Sequence, residues 1–189
     1  MPGVTRREHH ALLRHCVLAL LLMLLAVVIA DTASEQQQAL DALFASTAGS
    51  TWSVATGWSV GSPACARFGV RCNEQLLVEG LELPGNALRG TLPSELSLLR
   101  HLKTLNLAVN ELHGELPSSL VQLRHLRQLA LTSNKLGPSF PEWLVELPEL
   151  EHASLAINSF AGTIPRTVLE HFRPPRLLYA LRVRLSELE

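Results

Sequence analysis

Apolar residues recur along the chain with a period of 24 residues over residues 78–168. In each period, two apolar residues flank one polar or small residue, which is typical of a short strand with one buried face. Leu105 and Leu107 form one such pair, and Leu129 and Leu131 form the next. The pattern predicts four short strands whose buried faces point the same way.

An asparagine follows each predicted strand, and a proline follows each asparagine by seven residues. We expect the asparagine amide to bond main-chain groups where the backbone leaves the strand, and the proline to fix φ where the return arm begins. Because no period can bury its own apolar face, the periods must stack into one core. The residues are Asn86, Asn110, Asn134, Asn158, Pro93, Pro117, Pro141 and Pro165.

The second period, LKTLNLAVNELHGELPSSLVQL, resembles the plant-specific leucine-rich repeat almost slot for slot. The resemblance implies an α/β repeat fold, a short right-handed solenoid of four repeats over residues 78–171 with parallel strands on its concave side. In the third repeat, Pro138 takes the glycine slot and Gly137 lies one position earlier, so we expect an altered turn there. His171 is the one polar residue in the apolar columns.

The N-terminal segment is predicted to be a targeting sequence. Arg6, Arg7 and Arg14 precede an unbroken apolar run over residues 16–30. A helix of that length rises only about 22 Å, less than the ~30 Å hydrocarbon core of a bilayer. We therefore expect residues 1–30 to be a cleaved signal peptide of a secreted protein, with an uncleaved membrane anchor through residues 16–30 as the alternative.

Residues 31–77 are predicted to cover the front of the repeat stack. A capping box of Ser34 and Gln37 indicates the start of a helix, and Gly49 indicates its end. Cys65 and Cys72 form a close pair, which an oxidising compartment would join as a disulfide and a reducing one would leave as two thiols.

The segment TWSVATGWSVGSPACARFGVRC is similar to the N-terminal cap of secreted and receptor-like leucine-rich repeat proteins. Arg67 stands where that family usually has tryptophan, so we expect looser packing of the cap. Residues 172–189 lose the asparagine register, and three interpretations stay open: a helical or irregular C-terminal cap, a degenerate fifth repeat, or a frayed tail. A helically spaced leucine stripe favours the first.

Composition indicates a globular protein, and the search for catalytic motifs predicts a non-catalytic one. The chain is 47% hydrophobic and 17% charged with a net charge of −1, which gives no indication of a nucleic-acid partner. We find no phosphate-binding loop, metalloprotease motif or nucleophile elbow, and therefore predict no enzyme activity, no cofactor and no metal. His101 and His125 occupy equivalent slots in adjacent repeats, which is compatible with a shared metal but more typical of surface imidazoles.

Outward-facing strand residues are the predicted binding surface, because solenoids of this type bind through the concave sheet. Lys103 and Arg127 lie between two carboxylates in one column, and with Arg100 and Arg124 they would form a basic ridge that attracts an acidic peptide or an anionic sugar. A solvated face without a ligand is the alternative at any one position. The candidate binding residues are Glu79, Glu82, Lys103, Asn106, Arg127, Gln128, Glu151 and His152.

The sequence thus predicts an extracellular recognition module for a protein, a peptide or a cell-wall glycan. Resemblance to receptor ectodomains and to polygalacturonase-inhibiting proteins suggests signalling or defence, by analogy. Two alternatives remain: an inhibitor of a secreted hydrolase, and the truncated ectodomain of a receptor-like protein.

Overall fold

The computed structural model describes residues 6–162 and 164–171. Helix α1 spans Arg6–Ser46. Its residues up to Ser34 form one compact unit, and the chain from Glu35 onward forms a second. The capping box predicted at Ser34 is wrong, because that residue lies inside α1. No glycine or proline interrupts the sequence between Gly3 and Gly49, so nothing breaks the helix there.

The first unit contains the apolar run of the predicted targeting segment. The side chains of Val17, Leu18, Leu20, Leu21 and Met23 are exposed. Within the described residues, no helix combines the length and the apolar character needed to cross a membrane. The helix continues through residue 30, and the cleavage boundary stays a prediction.

Within the described residues, eight strands form two sheets. The first sheet is five-stranded, in the order β1–β2–β4–β6–β8, and the second is three-stranded, in the order β3–β5–β7. In chain order the strands are β1 Val70–Cys72, β2 Val78–Glu82, β3 Arg89–Gly90, β4 Thr104–Asn106, β5 Glu111–Gly114, β6 Gln128–Ala130, β7 Lys135–Leu136 and β8 His152–Ser154.

The register of the first sheet confirms the 24-residue period. Strand β2 pairs in parallel with β4, β4 with β6, and β6 with β8, so that Gly80, Thr104, Gln128 and His152 lie side by side. We call each period of this stack a rung. Strand β1 adds an antiparallel partner at the front edge of β2.

Short helical segments close each rung on the side away from the first sheet. The 3₁₀ helices Ser94–Leu98, Ser118–Gln122 and Glu142–Glu146 each follow a proline, as expected, and helix α2 at Arg166–His171 follows Pro165. The core between these segments and the sheet is built of leucine, with Ala153 in the fourth rung where the others have leucine. The predictions for residues 172–189 lie outside the described residues.

The asparagine side chains connect neighbouring rungs. Asn110 accepts hydrogen bonds from the backbone N–H groups of Asn86 and Leu88 in the preceding rung, and donates to the carbonyls of Leu83 and Leu107. Asn134 and Asn158 donate in the same way one and two rungs further along, and each accepts from one backbone N–H, that of Leu112 and of Leu136 respectively. Burial of the amide is tolerated because its oxygen and nitrogen are both bonded.

The front of the stack is covered by a cap within residues 35–77. Trp52, Trp58 and Phe44 form an aromatic cluster with ring centroids 4.8–6.0 Å apart. The backbone of Val54 donates to the side-chain oxygen of Asn86 and accepts from its nitrogen, as a preceding rung would. The predicted disulfide joins Cys65 and Cys72.

Arg67 fills the tryptophan slot of the cap without loosening it. The side chain is 2% exposed, and its guanidinium lies 5.1 Å from the ring centroid of Trp58. It donates to the carboxylate of Asp41 at 2.6 Å and to the carbonyl of Ser62. The expectation of looser packing is therefore wrong, because the planar guanidinium replaces the ring as a stacking partner and adds hydrogen bonds.

Candidate functional site

The outward face of the first sheet is the candidate site. Side chains alternate along each strand, so Leu105 and Leu129 point into the core while their neighbours point outward. The middle of this face carries small or uncharged side chains, which we call the floor. The floor consists of Thr104, Asn106, Gln128, Ala130 and Ser154.

Two cations of the predicted basic ridge beside the floor, Lys103 and Arg127, do not present free charge. Lys103 Nζ lies 2.7 Å from Glu79 Oε1 in the preceding rung. Arg127 Nη2 lies 2.8 Å from Glu149 Oε2 in the following rung. Each cation is thus paired across a rung boundary. These contacts link rungs and neutralise Lys103 and Arg127. Arg100 pairs with Glu35 at 3.3 Å, whereas Arg124 donates to the backbone carbonyl of Glu146 and forms no ion pair with another described residue.

The pKa directions agree with this pairing. The hydrogen bond from Lys103 lowers the pKa of Glu79. The pKa of Glu149 is lowered by its hydrogen bonds to His125 and Arg127, and the bond to Glu149 raises the pKa of Arg127. All these carboxylates therefore stay charged at neutral pH, and the two cations remain occupied by them.

The two histidines stack on adjacent rungs. The rings of His101 and His125 are 6.1 Å apart at 13°. Because a metal binds in the plane of an imidazole ring, two nearly parallel rings do not direct their nitrogens at one ion. His125 Nδ1 instead lies 2.8 Å from Glu149 Oε1. In the described part of the chain, no group of three potential ligands is placed to hold a metal.

The remaining candidates lie at the two ends of the face. Glu82 is at the front, where its Oε1 is 3.9 Å from Arg71 Nε. Glu151 and His152 are exposed at the back, and neither forms an ion pair with another described residue. The sequence candidates therefore lie on one face, but they do not converge on one point.

Sequence reasoning missed Arg71. This residue lies on β1, directly opposite Gly80 of β2, so both face outward. A Cβ at Gly80 would lie 2.9 Å from Arg71 Nη2 and 3.1 Å from Nε. The guanidinium therefore covers the place of the missing side chain. The signal in the sequence is the glycine in an otherwise polar outward column, but the pairing of β1 with β2 was not predicted.

The Leucine Rich Repeat family model matches residues 101–123, which include β4 and the return arm of the second rung. No curated protein sequence matches the chain. The similarity is otherwise to solved structures.

Two of these structures are 30% identical to the chain. One is the ectodomain of the Arabidopsis thaliana receptor kinase GASSHO1/SCHENGEN3 in complex with CASPARIAN STRIP INTEGRITY FACTOR 2, with a TM-score of 0.54 over 60% of this chain and 13% of that chain. The other is Pollen Receptor Kinase 3, with a TM-score of 0.53 over 59% of this chain and 55% of that chain. This chain thus spans less than two thirds of either protein.

The BIR2 ectodomain from Arabidopsis thaliana is similar over a larger share of both chains. It is 22% identical, with a TM-score of 0.53 over 79% of this chain and 97% of that chain. At this identity the likeness shows the fold alone. Together with the rung register, the asparagine contacts and the disulfide, these comparisons show that the chain contains a leucine-rich repeat and has a short leucine-rich repeat solenoid fold, structurally similar to plant leucine-rich repeat receptor ectodomains.

Proposed function

We propose that the chain is a non-catalytic, extracellular recognition module that binds an extended peptide segment of a protein partner on the outward face of its first sheet. The observation that carries this proposal is the floor. Three neighbouring parallel strands, β4, β6 and β8, present small or uncharged side chains between a row of ion pairs on one side and a row of turns on the other.

The floor suits an extended backbone. Adjacent strands in a sheet lie about 4.8 Å apart, so a peptide crossing them meets a new strand every one to two residues. Thr104, Gln128 and Ser154 supply hydroxyl and amide groups that both donate and accept. Asn106 Oδ1 accepts from the N–H of Ala108, which leaves the amide nitrogen as a donor. Ala130 leaves room for a side chain of the ligand.

The similar proteins support a peptide or protein ligand over the glycan alternative. The GASSHO1/SCHENGEN3 ectodomain was solved in complex with CASPARIAN STRIP INTEGRITY FACTOR 2. The floor and the ion pairs beside it contain no phenylalanine, tyrosine or tryptophan on which a sugar ring could stack. Inhibition of a secreted hydrolase would be one use of such a surface, and it requires the same contacts.

The disulfide and the apolar N-terminal run support an extracellular location. Structural disulfides form in oxidising compartments, and Cys65 and Cys72 are joined. We propose that residues 1–30 direct the chain to that compartment, either as a cleaved signal or as an anchor. N-terminal sequencing of the protein from a secretory host would show a start near Asp31 for a cleaved signal.

A selection experiment tests the binding surface. The full chain would be immobilised and used to select from a displayed library of random peptides, with a Thr104→Arg/Ala130→Arg variant in parallel. His113→Arg is the control, because His113 is exposed on the second sheet. We expect the wild type and the control to bind the selected peptides alike, and the floor variant to lose at least about tenfold in affinity. Equal affinity of all three, or no enriched peptide, would overturn the proposal.

A further inference from the structure

Among the described strands of the first sheet, Arg71 on β1 presents a cation that no carboxylate hydrogen-bonds. Lys103 and Arg127 each bind a carboxylate within 2.8 Å. The nearest carboxylate oxygen to Arg71, on Glu82, is 3.9 Å from Nε, which is too far for a hydrogen bond. The side chain is 55% exposed, and its guanidinium donates no hydrogen bond to any described residue.

Gly80 fixes where this guanidinium lies. Strand β1 places Arg71 and Gly80 opposite each other, and the arginine side chain extends across the glycine. Gly80 is followed in the next strand by Thr104, the first residue of the floor. The guanidinium of Arg71 thus occupies the space that a side chain at Gly80 would fill. The N–H groups of the guanidinium therefore lie beside the floor.

We propose that Arg71 is the specificity-determining residue of the outward face and binds a carboxylate of the peptide ligand, either its C-terminus or an acidic side chain. This inference rests on the proposed function. A guanidinium binds a carboxylate through two parallel N–H···O bonds, which a carboxamide cannot match in charge. Glu82 competes weakly because both groups are exposed and do not touch.

The charges around the site favour this assignment. Glu79 accepts from Lys103 and from Asn73, so its charge is largely satisfied. Glu82 is the one carboxylate that faces Arg71 without another partner among the described residues. A ligand carboxylate that accepts hydrogen bonds from two guanidinium nitrogens should bind Arg71 more strongly than Glu82 does, because bidentate, charge-assisted hydrogen bonds are stronger than an ion pair without a hydrogen bond.

Nuclear magnetic resonance of the arginine side chains tests the proposal. The ¹⁵N-labelled full chain would be titrated with acetyl-Gly-Ser-Gly carrying a free carboxylate, with the same peptide as its carboxamide, and with glucuronate. We expect the Nε–H signal of Arg71 to saturate with the free carboxylate at a concentration at least about threefold below that for Arg89, an exposed arginine of the second sheet. The carboxamide should leave Arg71 unchanged.

Variants sharpen the result. Gly80→Ala keeps a tolerated strand backbone but displaces the guanidinium, so we expect about threefold weaker binding of the carboxylate peptide with an unchanged circular dichroism spectrum. Glu82→Gln removes the competitor and should strengthen binding about twofold. Arg89→Gln is the matched control and should have no effect.

Equal responses of Arg71 and Arg89 would overturn the inference. Response to glucuronate but not to the peptide would overturn the assignment to a peptide. If the selected peptides bind through the floor but the Nε–H signal of Arg71 does not respond to the carboxylate, the proposed function stands and this inference alone is rejected. Conversely, a response of Arg71 without any selected peptide would show a carboxylate site and reject the recognition surface.

Discussion

The cap and the rungs are stabilised in different ways. In the rungs, one set of contacts recurs with a separation of 22 to 27 residues: the strand pairs, the asparagine bonds and the ion pairs between neighbouring turns. In the cap, each contact occurs once. Trp58 donates to the carbonyl of Phe68, Gln36 accepts from the N–H of Val78, and Arg67 binds Asp41.

This difference determines how much stability the loss of a single contact should cost in each region. A contact in the middle of the rungs serves two neighbours, whereas a contact at the end serves one. A contact in the cap has no equivalent that could compensate for its loss. We therefore expect effects in the rungs to depend on position along the stack, and effects in the cap to depend on the chemistry of each residue.

The largest effect is expected from the asparagines. Asn110→Ala removes the partners of two backbone N–H groups and two carbonyls, so we expect a loss of about 4 kcal/mol in the free energy of unfolding. Asn158→Ala, at the half-buried last position, should lose about 2 kcal/mol. Denaturant titration of the full chain measures both, and equal losses would contradict the dependence on position.

Arg67→Met should have the next largest effect. It removes the bonds to Asp41 and Ser62 and the stacking on Trp58, and we expect a loss of about 3 kcal/mol, reduced from the usual range because Asp41 is partly exposed. Arg89→Met on the second sheet is the control and should change stability by less than about 0.5 kcal/mol. Similar results for both variants would show that Arg67 is only a surface charge.

The same difference explains what could be predicted from the sequence. The rungs were predictable because the spacing of Asn86 and Asn110 reports the same local geometry several times. The burial of Arg67 was not, because its partner Asp41 lies 26 residues away and nothing in the local pattern connects them. For the candidate site, the strand alternation identified the outward face. The ion pairs of Lys103 with Glu79 and of Arg127 with Glu149 could not be predicted, because they depend on how far the side chains reach. The position of Arg71 could not be predicted either, because it depends on the register of β1 against β2.

A smaller effect of opposite sign is expected at the turns that precede the asparagines. Val109 and Ile157 adopt positive φ values of 58° and 56° and are exposed, whereas Gly85 occupies the same position in the first rung. Branched side chains are strained in this conformation, and asparagine tolerates it. Val109→Asn should therefore raise the free energy of unfolding by about 1 kcal/mol. Thermal unfolding would measure the gain, and a loss would show that Val109 packs on something.

The smallest effect is the pH dependence of the ion pairs. The pKa values of Glu79, Glu111 and Glu149 are lowered in the folded chain, chiefly by hydrogen bonds to Lys103, Lys135 and His125 respectively. Their stabilisation is therefore complete above the ordinary value of 4.5 and is lost as the pH falls through the lower folded values. Replacing the three with glutamine should flatten stability between pH 5 and 3. An unchanged slope would contradict the pairing.

The outward face as a recognition surface is tested most directly by photo-crosslinking. The photoreactive amino acid benzoylphenylalanine would replace Asn106 on the floor in one sample and His113 on the second sheet in another, and each would be irradiated with a peptide selected on the wild-type chain. The account predicts a crosslinked product from the Asn106 position and little or none from the His113 position. Equal or stronger crosslinking from the His113 position would contradict it.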